Sequence, residues 1–150
     1  MSLDAATGAL TYDDGARIDP AEPLTAFRAS PLGRTASAHE RGEWAWLELA
    51  SRVTGGVAFS ATLTFERGRL FSISLHRPRA GTGGYASWSF DEERAIVAEG
   101  ARWLATAVGE GRHEFSWGSA GSGFDERSGS AYLLIRYRPA PAPSADTSTN

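Results

Sequence analysis

The chain of 150 residues has no cysteine, which excludes disulfide frameworks, thiolate metal sites and cysteine nucleophiles and fits a reducing compartment. It also lacks any apolar run approaching the roughly 20 residues that a membrane-spanning helix needs, and its N-terminus has no basic-then-apolar leader. A cytoplasmic location with no membrane partner is therefore expected. Positive charge is not in surplus either. Fifteen cationic side chains against eighteen acidic ones leave a net charge of -3, which is no footprint for phosphate backbones and argues against a nucleic-acid partner. Three catalytic or ligand-binding spacings are missing as well. His39, His76 and His113 never form a His-x-x-x-His pair, no glycine-rich run ends in the lysine of a P-loop, and Ser119 to Gly123 only imitates a nucleophile elbow. These patterns lead to an expectation of no metal, no cofactor and no catalytic residue.

What is present is a globular composition. With 41% hydrophobic residues, 22% charged residues and five tryptophans, the chain can bury roughly two thirds of its unfolded surface in one core. A single domain over residues 9–138 is expected. Residues 1–8 are small and polar and are set outside the fold as a flexible N-terminus. Residues 139–150 hold Pro, Ala, Ser and Thr with no large side chain to offset ordering entropy, so a disordered tail is expected there.

The strongest local signal runs from Ser89 to Gly109. Ile96, Val97, Gly100, Trp103, Leu104, Ala107 and Val108 share one side of a 3.6-residue wheel, Ser89 and Glu92 have the spacing of a capping box, and Gly109 is a suitable stop. Strands are expected at Trp44 to Ala50, Val57 to Phe65 and Phe71 to His76, each with two-residue alternation, and again at Glu114 to Trp117 and Ala131 to Tyr137. Asp14-Gly15 marks a hairpin between Leu10 and Ile18. A short helix follows near Leu24 to Ala29, stopped by Pro31 and Gly33. Arg34 to Gly42, Pro78 to Gly84 and Gly118 to Ser130 read as loops. The expected fold is α+β: a mostly antiparallel sheet of five to seven strands, one long helix packed on one face, and a short N-terminal helix.

Two groups of residues are candidates for binding. In the glycine- and serine-rich stretch from Gly118 to Ser130, Asp125 and Arg127 could join a histidine in a small-molecule or hydrolytic site, or simply close an Asx-type turn. His76 and His113 would meet only if their strands were neighbours, with Glu114 or Glu93 as the third member. Glu93 is equally suited to the positive end of the helix dipole. The second group is aromatic. Trp44 and Trp46 share a strand face with Glu48 and not with Leu47 and Leu49, so at least one should be exposed on the side away from the helix, beside Tyr132 or Tyr137. Trp103 and Trp117 are expected in the core.

Taken together, Ser87-Trp88-Ser89, the helix bearing Trp103-Leu104 and ending Val108-Gly109, then Trp117-Gly118, Asp125 to Gly129 and Ile135-Arg136-Tyr137 resemble small uncharacterised bacterial α+β proteins, some of them similar to immunity proteins of contact-dependent toxin systems. The resemblance spans Trp44 to Tyr137 and implies a binding protein rather than an enzyme. The leading expectation is a cytoplasmic protein-binding module of immunity type. The alternatives are a small-molecule binder or hydrolase at residues 118–130, and a homo-oligomer built through an exposed aromatic strand face.

Overall fold

In the computed structural model, residues 1–54, 56–77, 88–111 and 113–139 are described. The expected Pro78 to Gly84 connection and the tail from residue 140 onward lie outside them. Two-residue alternation builds the main sheet. Strands β5 (Trp44–Thr54), β6 (Val57–Glu66) and β7 (Arg69–His76) form a meander, with β4 (Ser37–Arg41) on its outer edge. Beyond β7 come β10 (Ser130–Tyr137), β9 (Gly118–Asp125) and the two-residue β8 (Glu114–Phe115), so the spatial order is β4-β5-β6-β7-β10-β9-β8. Each of the six neighbouring pairs is antiparallel. The fold is α+β.

One cross-strand row shows how the core is made. Leu47 pairs with Leu63, Leu63 with Ile73, Ile73 with Ile135, and Ile135 with Ala120, so a single line of apolar side chains crosses five strands on one face. The four large members of that row are completely buried. Removing about 25 cal/mol of exposed apolar cost per Å² is the term that holds such a row inside.

That inner face is covered by three pieces. Helix α3 (Phe90–Val108) lies over β9 and β10, with the Ser89 hydroxyl accepting from the Glu92 backbone N–H at 3.5 Å and three acidic residues in the first turn facing the positive dipole end. Leu104 is buried and Trp103 half-buried, its Nε1 donating to the Met1 carbonyl at 3.2 Å. A three-stranded sheet of β1 (Ser2–Leu3), β2 (Leu10–Thr11) and β3 (Arg17–Ile18) adds Leu3, Leu10, Tyr12 and Ile18 to the same core. Helices α1 (Leu24–Ala29) and α2 (Pro31–Arg34) complete the cover, with the Phe27 ring 5.9 Å from that of Phe65.

Four expectations change. Residues 1–8 belong to the fold: Leu3 is buried in the core, and the carbonyls of Met1, Ala5 and Gly8 accept from Trp103, Trp117 and Tyr137. Part of the polar stretch 34–42 is edge strand β4, held by register rather than by an apolar face, since all five of its residues are exposed. Helix α1 ends at Ala29 as expected, but Pro31 and Gly33 are not loop residues: Pro31 opens α2, because a proline is well placed at a first helical position where its missing N–H is not needed.

The fourth change concerns residues 118–130, which are mostly strand. Gly118 to Asp125 pair with Tyr137 to Ser130 without a break, leaving only 126–129 to turn. Glycine is a poor strand former on its own, but here small residues let α3 approach the sheet. A Cβ on Gly100 would stand 2.6 Å from the Ser122 Oγ, and that hydroxyl donates to the Val97 carbonyl at 2.8 Å. Gly118 is fixed by a harder limit, since a Cβ there would sit 1.9 Å from the Arg136 carbonyl oxygen.

Candidate binding face

Because pleated strands send alternate side chains to opposite sides, the residues interleaved with the core row form a second face. The described helices and the small sheet all pack on the inner side, and the outer side bears mostly half-buried and exposed residues, with Ser72 buried among them. At one end of this outer face Trp44 and Trp46 lie two residues apart on β5, with ring centroids 6.3 Å apart and planes within 16° of parallel. His39 of β4 is the register partner of Trp46 and stacks on it at 5.8 Å.

Phe71 joins this group through an irregularity in the ladder. Register shifts between Thr64 and Phe65, so Leu70, and not Phe71, takes the inward place opposite Phe65, and Phe71 meets Trp44 edge-on at 5.3 Å. Ile73 and Leu75, beyond the irregularity, face the core. The Arg136 guanidinium lies 5.9 Å above the Phe71 ring, within cation–π reach.

The same end of the face carries cations. Arg41 is the register partner of Trp44, Arg69 follows in the row through Glu66, and Arg136 lies in the row of Trp46, Thr64 and Ser72. None of these three arginines makes an ion pair among the described residues, whereas five others do. Sequence reasoning missed Arg41, Arg69, Arg136, His39 and Phe71. One signal was available: all fifteen cationic residues are arginine and none is lysine, the choice suited to stacked and bidentate contacts.

Tyr132 is on the outer face but four residues along β10 from Arg136, a separation of about 13 Å along the strand. It therefore stands away from the two tryptophans, its ring covering Gly123. Tyr137 faces the core, its hydroxyl donating to the Gly8 carbonyl at 2.7 Å, and burial pushes its pKa up.

Tyr132 instead borders a shallow hollow of about 400 Å³ together with Ser74, His76 and Asp125. The Ser74 Oγ and the His76 Nε2 are 2.8 Å apart. Desolvation lowers the His76 pKa, opposed by a hydrogen bond to the Ala131 backbone. Asp125 accepts from the Arg127 backbone N–H at 3.0 Å and from the Ser128 hydroxyl at 2.9 Å, and these bonds hold its carboxyl below the ordinary range. Arg127 sits in the turn and is exposed.

His113 does not join His76. It lies by β8, two strands beyond β10, with its Nε2 2.8 Å from the Gly109 carbonyl. Glu93 is buried at the start of α3 and accepts from the Ala131 backbone N–H at 2.5 Å, tying the helix to β10. Among the described residues no group of three or more His, Asp or Glu could hold a metal ion, and no helix is long and apolar enough to cross a membrane. No family model, curated protein or solved structure matches the chain.

Proposed function

We propose that the chain is a protein-binding module that docks a polypeptide partner on the outer sheet face, at the end bearing Trp44, Trp46, Phe71 and Arg136. The observation that carries this reading is the coincidence of half-buried, mutually stacked aromatics with three arginines that make no ion pair among the described residues, in a chain whose net charge is -3. Tryptophan and arginine are the residue types that dominate binding hot spots. An arginine left without an internal carboxylate gains most from one supplied by a partner, so the partner surface should be acidic. The lack of cysteine supports a cytoplasmic setting, and the resemblance to immunity proteins makes a toxin polypeptide the first partner class to try.

The test is site-specific photo-crosslinking in the native cell. A benzophenone amino acid placed at Glu48, which is exposed beside Trp46 on the outer face, should trap one polypeptide, and the same group at Arg102 on the outer side of α3 should not. The double substitution Arg41→Glu/Arg136→Glu should abolish the product. Trapping of nucleic acid, or of a second copy of this chain, would contradict the reading.

The Ser74–His76 pair favours a second reading, small-molecule binding or hydrolysis in the hollow it shares with Asp125. It ranks below the first because both Asp125 oxygens are engaged by its own turn rather than by the imidazole.

A further inference from the structure

We infer that the cavity at the end of the sheet beneath Trp117 and Tyr137 is a binding site for a small amphiphilic anion, a carboxylate or phosphate carried on a flat apolar body. The cavity measures about 620 Å³ and neither Trp44 nor Trp46 lines it, although Arg69 borders both it and the outer-face cluster. It is closed by the connection from β3 to α1 at Pro20 to Pro23, the start of β7, the turn between β8 and β9, and the end of β10. A few hundred Å³ is the range in which small molecules bury most of their surface.

Its apolar walls are held in place before any ligand arrives. The Trp117 indole stacks on Phe115 at 4.8 Å and 6°, donates through Nε1 to the Ala5 carbonyl at 2.9 Å, and is crowded by Gly8, where a Cβ would lie 2.6 Å from the ring. Tyr137 is anchored at its hydroxyl by the Gly8 carbonyl, and Leu70 is buried behind it. A site whose rings are already ordered loses little side-chain entropy on binding.

Charge sets the ligand class. Arg69 and Arg138 line the cavity, both exposed and neither in an ion pair among the described residues, while Glu22 is the one acidic residue in the wall. The Arg138 backbone N–H donates to the Trp117 carbonyl at 2.8 Å, which fixes where that guanidinium is rooted. Among the lining residues two guanidinium groups stand against one carboxylate, beside an apolar floor. An anionic head would bond the forks while its body covered Leu70 and the rings.

The test is an NMR titration of the five tryptophan indole N–H signals with 2-naphthoate, 2-naphthylmethanol and inorganic phosphate. Naphthoate should shift the Trp117 signal saturably and leave that of Trp46 in place, and the neutral alcohol and bare phosphate should each bind at least about tenfold more weakly, the scale of one charge-assisted contact. Arg69→Gln/Arg138→Gln should lower naphthoate affinity by about tenfold or more. Trp46→Ala should leave it unchanged, so this inference and the docking of a polypeptide on the outer face stand or fall separately. No saturable shift of Trp117 up to millimolar naphthoate, or equal affinity in the arginine double variant, would overturn it.

Discussion

Strand by strand, the two faces of the seven-stranded sheet carry different chemistry from one alternating sequence. On the inner face Leu47, Leu63, Ile73 and Ile135 are sealed beneath α3, the small sheet and the two short helices. On the outer face the register partners one step away are Trp46, Thr64, Ser72 and Arg136, with the aromatic rings packed on one another and none of the described helices laid over them. The inner face gains stability by burying apolar surface. The outer face stacks rings beside guanidinium groups that have no carboxylate partner among the described residues, an arrangement that adds little to folding and much to recognition.

That contrast can be broken by mutation, with the largest loss of stability on the inner side. Leu104→Ala removes a buried side chain from the contact of α3 with the sheet and should cost about 3 kcal/mol in urea unfolding. Glu93→Ala takes away the acceptor for the Ala131 N–H in a buried place and should cost about 2 kcal/mol. Trp46→Ala, on the outer face and half-exposed, should cost only about 1 kcal/mol while abolishing the crosslink from Glu48. If Trp46→Ala proved as destabilising as Leu104→Ala, the outer rings would be core and the contrast would fail.

A smaller effect is expected from pH. Burial puts the folded His76 pKa below its ordinary value of 6.5, so below pH 6.5 the unfolded chain binds a proton that the folded chain resists. Stability from this group is complete above pH 6.5 and is lost as pH falls through the lower folded pKa. His76→Asn should flatten that part of the stability profile measured by thermal unfolding across pH 4 to 8, a window on the order of two units either side of the imidazole range. An unchanged slope would mean that the ring is as solvated in the fold as outside it.

How much of this was readable in advance depended on periodicity. The α3 stripe and the alternation of β5, β6 and β10 came through because each is long enough for a period to show, and the placement of Trp44 and Trp46 opposite Leu47 and Leu49 followed from the same count. What did not come through was set by partners distant in sequence. Strand β9 has the small Ala120 and Ser122 on its inner side, where α3 lies close above it, and nothing within that stretch announces a helix twenty residues earlier. Leu3 enters the core from a segment too short to have a period. Phe71 changed sides through one bulge. The arginines of the outer face were hidden for another reason, since their common trait is that they make no ion pair among the described residues, which only the folded arrangement reveals.

The most direct measurement is the crosslinking yield from Glu48 in the Arg41→Glu/Arg136→Glu variant, taken alongside its urea midpoint. The polypeptide product should vanish while the stability stays within about 0.5 kcal/mol of the parent, as for an exposed surface substitution. Full crosslinking by the charge-reversed protein would show that the outer face is not where the partner docks.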